Sequence, residues 1–215
     1  MKNLKFITVA GLKGGVGKSS ISRVLAEYLS SIILNFDPKR DAKYYNAIET
    51  FNVEENAKIK KQSDCLIVDN IKITTDSEYI ISDFGGQFDE RIMTIDSDYY
   101  ILPSADDFES ITETIRTARM ILDSKNDAKI IFVLNKYLIR NKKDEVQAIN
   151  DFNQMLKKNN LSNFDVIEMP YSKLFKNIVN EKMTEEEVIG KSKLLKNSYR
   201  NINNFIEKLA NEVSK

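Results

Sequence analysis

Short apolar runs alternate along this chain with longer stretches in which apolar residues recur every three or four positions. The runs at residues 4–10, 31–36, 79–82, 99–102, 129–134 and 164–168 predict strands. Residues 18–30 predict a helix whose apolar stripe is Ile21, Val24, Leu25, Tyr28 and Leu29. Further helices are expected over residues 108–122, 143–158 and 191–213. Strands and helices in alternation specify an α/β fold, a mostly parallel, doubly wound sheet flanked by helices. Residues 41–76 are the least regular, and a helix followed by a strand or hairpin near residues 66–73 is expected there. The chain contains no Pro/Gly-rich linker, internal repeat or low-complexity tract, so a single domain over residues 1–215 is expected.

Composition narrows the chemistry more than the fold. The 32 basic and 32 acidic side chains cancel, so any nucleic-acid surface has to be a local patch. The chain has no histidine, which excludes imidazole general-base catalysis and His-ligated metals. Its one cysteine, Cys65, excludes disulfides and Cys-pair metal sites, and its apolar setting predicts a reduced, buried thiol. The apolar run at the amino terminus is too short for a signal peptide, and no stretch approaches the ~18 apolar residues of a membrane span. A cytoplasmic protein is expected.

The chemistry begins where the first strand ends, at GLKGGVGKSS, residues 11–20. Glycines let successive N–H groups converge on phosphate oxygens, and the following helix adds the positive end of its dipole. Gly14, Gly15, Val16, Gly17, Lys18, Ser19 and Ser20 are therefore candidate nucleotide-binding residues, with Lys18 neutralising phosphate and the Ser19 hydroxyl on Mg²⁺. The loop departs from the common G-x-x-x-x-G-K-S pattern because Leu12 replaces its first glycine, and it carries an additional lysine, Lys13.

The KGGVGKS run resembles the deviant Walker A motif of the ParA/MinD family of ATPases, most nearly that of the short plasmid-type ParA proteins. The resemblance implies a P-loop NTPase fold of the SIMIBI type with ATP and Mg²⁺ as cofactors. It also implies that Lys13 reaches the phosphates bound by the facing subunit of an ATP-dependent homodimer. Asp37, in the run Asn35-Phe36-Asp37-Pro38, matches the aspartate that helps position the attacking water and contributes to the metal site. The first aspartate of the family's Asp-x-Asp-Pro is replaced by Asn35, which hydrogen-bonds but carries no charge. An Asp-Pro pair also opens ordinary turns.

Asp83, ending an apolar run and followed by Phe84-Gly85-Gly86, resembles a Walker B aspartate that holds Mg²⁺ water. Asp69 ends a similar run but lacks the glycines, and a strand-end acid is expected there. The later run YYILPSADDFES resembles the family's strand and Pro-containing turn, leading to the helix that borders the dimer interface.

Asn135-Lys136 is followed by Tyr137-Leu138 and so lacks the acid that reads guanine, which favours ATP over GTP. By resemblance to MinD-type members, Asn135 and the loop containing Pro170 are placed near adenine, although a strand-end turn also accounts for Asn135. A protein without an additional DNA-binding module before the glycine loop is expected, as in the short ParA proteins. The resemblance accordingly implies non-specific DNA binding by the ATP dimer, release by hydrolysis, and stimulation by a small ParB-like centromere-binding adaptor. Lys173, Lys176, Lys193, Lys196 and Arg200 are candidate DNA contacts, and a solvated helix face explains the last three equally well. A MinD-like membrane ATPase is the competing class, but the apolar stripe of the last helix is more easily buried against the sheet. A conjugation or plasmid-stability accessory ATPase shares all these residues. A P-loop metabolic enzyme would not require Lys13, and iron–sulfur relatives need paired cysteines.

Overall fold

The computed structural model describes residues 4–39, 45, 48–54, 57–62, 65–69, 71–73, 75–86, 89–135, 141–170 and 193–215. In chain order its elements are β1 (Lys5–Val9), α1 (Lys18–Tyr28), β2 (Ile32–Asn35), β3 (Thr50–Asn52), β4 (Ile59–Lys61), β5 (Leu66–Val68) and β6 (Ile71–Ile73). They continue with β7 (Tyr79–Asp83), α2 (Arg91–Thr94), β8 (Tyr99–Ala105), α3 (Phe108–Ser124), β9 (Ile130–Asn135), α4 (Lys142–Lys158), β10 (Asp165–Met169) and α5 (Lys193–Ser214). Seven strands form one sheet in the order β10-β9-β8-β1-β7-β2-β3, and every neighbouring pair is parallel.

Because strand side chains alternate between faces, each buried strand serves two cores. Ile7, Val9, Ile33, Ile81, Ile101 and Val133 pack with α1 and α5 on one face. Phe6, Leu34, Ile80, Tyr100, Leu102 and Phe132 pack with α2, α3 and α4 on the other. The expected doubly wound α/β sheet is thus present. On α5 the residues Ile202, Phe205, Ile206 and Leu209 are buried in the first of these cores, so the apolar stripe of its carboxyl-terminal half is covered. No helix among the described residues is long and apolar enough to cross a membrane.

The structure differs from the sequence expectation in the middle of the chain. Residues 41–44, 46 and 47, where a helix was expected to begin, lie outside the described residues. The rest of that tract holds the short edge strand β3 and an antiparallel sheet in the order β4-β5-β6. The expected hairpin is its β5-β6 half. Two of the three β4 residues are lysines, which hides that strand from an apolar pattern. Asp69 follows β5 in the left-handed region (φ 49°), and its Oδ1 accepts the Lys58 amide at 2.8 Å, as a strand-end acid would. Cys65 is buried, as expected.

Leu102-Pro103-Ser104 lies inside β8 and not in a turn. Pro103 is tolerated because β1 pairs with β8 only from Tyr99 to Ile101. The last backbone bond between these strands runs from the Ala10 amide to the Ile101 carbonyl at 3.1 Å. Beyond it β1 has left for the glycine loop, so no ladder bond requires a Pro103 N–H. The Pro103 carbonyl accepts from the Thr114 hydroxyl at 3.2 Å instead.

The start of α3 is set by Asp107, whose Oδ1 accepts the Ser110 amide at 2.9 Å and whose Oδ2 accepts the Ser110 hydroxyl at 2.5 Å. Burial opposes ionisation of this carboxyl. The hydrogen bonds from Ser110 and the charge of Lys13 outweigh it and hold the pKa below its ordinary value. A lowered folded-state pKa means that the cap stabilises above the ordinary aspartate range and that this is lost as pH falls through the folded value. Asp107→Ala is expected to lower unfolding free energy by about 1 kcal/mol at neutral pH. Asp107→Asn should retain most of the capping, and the wild-type advantage over Asp107→Ala should shrink at strongly acidic pH. Denaturant midpoints of the three proteins across pH measure this.

Candidate functional site

Strand register assembles the site. Val9 of β1 and Asn35 of β2 both stand opposite Asp83 of β7. The row continues one residue further, with the Phe84 amide on the Val9 carbonyl at 3.1 Å and the Phe36 amide on the Asp83 carbonyl at 2.9 Å. The glycine loop, the Asp37 turn and the Gly85-Gly86 turn therefore leave the sheet side by side at its carboxyl edge, where doubly wound folds bind ligands. Phe36 and Phe84 stack with centroids 4.2 Å apart and an interplanar angle of 13°.

In the loop, Gly15 and Gly17 have φ of 79° and 100°, in the left-handed region that glycine adopts without strain. Gly17 caps α1, whose first turn contains no acidic residue, so the helix itself sets no carboxylate against an anion at this end. Lys18 and Ser19 are both buried, and the Lys18 ammonium donates to the Lys13 carbonyl at 2.7 Å, drawing its chain back along the loop. The turn after β7 packs directly on this loop. A Cβ added at Gly86 would lie 2.7 Å from Gly14 Cα and 3.0 Å from Gly14 N, and one at Gly85 would lie 3.3 Å from Asp37 Cγ. Glycine at 86 is thus required by a backbone-to-backbone contact.

These segments enclose a cavity of about 750 Å³ lined by Gly14, Gly15, Gly17, Lys18, Ser19 and Ser20 of the loop, by Asp37, and by Gly85 and Gly86. Asp37 also caps its own turn, its Oδ1 accepting the Lys39 amide at 3.0 Å, so the turn-opening and cavity-lining readings hold together. Asp83 does not line the cavity; it is fully buried at the end of β7, with its Oδ2 accepting the Tyr45 hydroxyl at 2.5 Å. Another cavity, about 620 Å³ and lined by Arg23, Glu27, Ser31, Tyr45 and Glu49 among others, has no glycine cradle.

Among the described residues no three Asp, Glu, Cys or His side chains are grouped to hold a metal unaided. Of the expected donors, the Ser19 hydroxyl and the Asp37 carboxylate line the cavity, Asp83 lies buried at the end of β7, and all three offer hard oxygens. Such a set suits Mg²⁺ that takes its remaining ligands from phosphates and water.

The two loop lysines diverge. Lys18 lines the cavity, whereas the Lys13 ammonium pairs with the Glu109 carboxylate in the first turn of α3. That hydrogen bond raises the Lys13 pKa, and Lys13 is not among the cavity's lining residues. Asn135 and Pro170 do not line the cavity either. Asn135 is buried, and its Nδ2 donates to the Val16 carbonyl at 3.1 Å, so its side-chain amide braces the loop from β9. Pro170 follows Met169, the β10 partner of Asn135, which places it on the same sheet edge. Lys173 and Lys176 lie outside the described residues, and for Lys193 and Lys196 only the backbone, within α5, is described. Arg200 is exposed on that helix.

Sequence reasoning missed Tyr45, Glu109 and Arg91. Tyr45 sits in the irregular tract, and Glu109 reads as an ordinary acid at a helix start. Arg91 lines the cavity, pairs with Asp89, donates to the Glu54 carbonyl at 2.6 Å and lies 4.9 Å from the Phe36 ring centroid. No motif announces it.

The chain matches the CobQ/CobB/MinD/ParA nucleotide binding domain over residues 7–185. A search of curated protein sequences finds no match. Solved structures of similar fold include the ATP complex of a Cyanothece McdA variant, 14% identical with a TM-score of 0.68 over 99% of this chain and 97% of that one. A chain of the Aquifex aeolicus MinC:MinD cell division protein complex is 14% identical, with a TM-score of 0.62 over 95% of each. A plasmid partition protein from Borrelia burgdorferi is 14% identical, with a TM-score of 0.56 over 96% and 100%. At these identities the structural likeness establishes the fold. Together with the domain match across most of the sequence and the glycine loop at the sheet edge, it means that the chain belongs to the CobQ/CobB/MinD/ParA nucleotide-binding family.

Proposed function

We propose that this protein is a switch ATPase of the partition type, which dimerises with ATP, binds DNA non-specifically as the dimer, and is released by hydrolysis. The observation that carries the proposal is the divergence of Lys13 and Lys18. One lysine on the loop lines the cavity, while the other points to the start of α3, where a second subunit can bring its own phosphates to it. A cation that meets phosphate only across an interface makes docking dependent on nucleotide.

In this reading ATP and Mg²⁺ occupy the 750 Å³ cavity. Gly14 to Ser20 cradle the phosphates, Ser19 ligates the metal, Asp83 orders its water, and Asp37 positions the attacking water. Adenine lies toward Asn135 and Pro170. Slow, partner-stimulated hydrolysis fits a site without histidine, because phosphoryl transfer depends on positioning and charge more than on a strong base. A small ParB-like adaptor supplies the stimulation. The basic residues Lys173, Lys176, Lys193, Lys196 and Arg200 are the DNA contacts proposed, and the protein is cytoplasmic and nucleoid-associated when ATP-bound. The membrane alternative requires an apolar helix face open to lipid, and on α5 that face packs in the core.

For Lys13 to cross an interface it has to leave Glu109. That pair is exposed, so its loss costs little and is screened by salt. Wild type should form a dimer with ATP and retain DNA, and Lys13→Gln should remain monomeric and release it, measured by light scattering and DNA retention with and without ATP. Asp37→Ala should bind ATP and hold DNA longer than wild type. A wild type that stays monomeric with ATP, or that ATP moves to liposomes without changing DNA retention, defeats the reading.

Gly86→Ala should weaken ATP binding by about tenfold or more, since the added methyl meets the backbone of Gly14 and relief requires moving the glycine loop, a cost of at least about 1.4 kcal/mol by the usual conversion. Equilibrium titration with a fluorescent ATP analogue measures the loss.

A further inference from the structure

Asp83 belongs to a buried polar cluster in which Tyr45, Asn35 and Asn52 have no proposed role. Tyr45 and Asp83 are both fully buried, and the phenol donates its one proton to Asp83 Oδ2 at 2.5 Å, within the range of charge-assisted O–H···O⁻ bonds. The same hydroxyl lies 3.2 Å from Asn35 Oδ1, and that oxygen also accepts the Asp37 amide at 3.1 Å. Asn35 Nδ2 donates to Asn52 Oδ1 at 2.8 Å, which fixes the orientation of the Asn35 amide and turns its oxygen toward Tyr45 and Asp37. A single phenol therefore stands between the two acids assigned to the metal and the water.

Strand register determines what the asparagine at residue 35 does here. Asn35 and Asp83 are directly paired on neighbouring parallel strands, both buried. A second carboxylate at position 35 would share the one Tyr45 proton with Asp83 and repel it in a site of low polarity. The amide removes that repulsion. It also leaves Asn35 able to accept from the Asp37 backbone, so the turn that carries Asp37 keeps its anchor.

We propose that Tyr45 is a positioning residue for the metal site, holding the Asp83 carboxylate in one orientation and, through Asn35, tying it to the Asp37 turn. The inference rests on the Mg²⁺–ATP reading above. A carboxylate with one oxygen held by a buried phenol presents its remaining lone pairs in a fixed direction, and Mg²⁺ demands near-ideal ligand geometry. Partners that orient a metal-site ligand commonly contribute about tenfold or more to metal affinity without touching the ion.

The test is Tyr45→Phe, which keeps the ring and its packing and removes only the hydroxyl. Binding of a fluorescent ATP analogue is titrated against Mg²⁺ and repeated in EDTA. The expected result is an increase of about tenfold in the Mg²⁺ concentration giving half-maximal tightening, with the affinity in EDTA unchanged. In an Asp83→Asn background the same substitution should add little, because the carboxylate it orients is gone. A Mg²⁺ titration identical to wild type overturns the inference, as does an equal loss with and without the metal, which would mark Tyr45 as a packing residue. A full additional loss on top of Asp83→Asn overturns it too. Wild type serves as the control that separates the two levels. If it shows no Mg²⁺-dependent ATP binding, the nucleotide reading falls and takes this inference with it. If wild type binds normally and Tyr45→Phe matches it, only the role of Tyr45 falls.

Discussion

The pairing of Val9 and Asn35 with Asp83 across three adjacent parallel strands is the constraint on which the rest of the site depends. Side chains alternate along a strand, so a one-residue slip in either ladder would exchange its inward and outward faces and break both cores. The register is therefore held by the apolar residues Ile7, Ile33 and Ile81 on one face and Phe6, Leu34 and Ile80 on the other. Chemistry at the carboxyl edge inherits that precision without having to supply it. The glycine loop, the Asp37 turn and the Gly85-Gly86 turn start from strand ends fixed by two hydrophobic cores.

A buried ammonium and a buried carboxylate need partners, because removing a charge from water is costly when it is left alone. Lys18 finds one in the Lys13 carbonyl, and Asp83 finds one in the Tyr45 hydroxyl. Both of these partners are neutral, so neither bond cancels the charge that a nucleotide or its metal is proposed to meet. Lys13 differs because it is partly exposed and bonded to an exposed carboxylate. Its partner can be exchanged at low cost, which is what a contact made only in one state requires.

Most of this was legible in the sequence, and the parts that were not share a physical cause. The apolar runs located the main strands within a few residues, because a strand buried on both faces has to be apolar throughout. The glycine loop was readable since left-handed φ angles leave few alternatives to glycine at Gly15 and Gly17, and the Gly-Lys-Ser ending is a local pattern. Asp83 was separable from Asp69 by the glycines that follow it, and the structure gives the reason, as Gly86 meets the backbone of Gly14. Tyr45, Glu109 and Arg91 were not legible, because each acts through a long-range partner, Asp83, Lys13 and Phe36 respectively. Pairings across many residues leave no local pattern. Pro103 misled for a related reason: a proline normally argues against a central strand, and only the early departure of β1 makes room for it in β8.

Contact among the three turns gives the site its mechanical character. A side chain at Gly86 would meet the Gly14 backbone, one at Gly85 would meet the Asp37 carboxylate, and Asp37 hangs from Asn35, which also lies beside Tyr45. None of these contacts has a flexible side chain at both ends, so there is little slack in which one turn could move alone. Well-packed interiors respond to a local displacement by switching between arrangements and not by continuous deformation. On the proposed reading, Gly14 would border the bound phosphates, and any shift of Gly14 would be felt at Gly86. The disturbance then has two outlets, Asp37 through the second turn and Lys13 through the loop itself. Lys13 ends at the first turn of α3, so the loop proposed to hold phosphate also contacts the helix proposed to border a second subunit. On that reading the two proposed sites share a backbone of a few residues, and no longer pathway between them is needed.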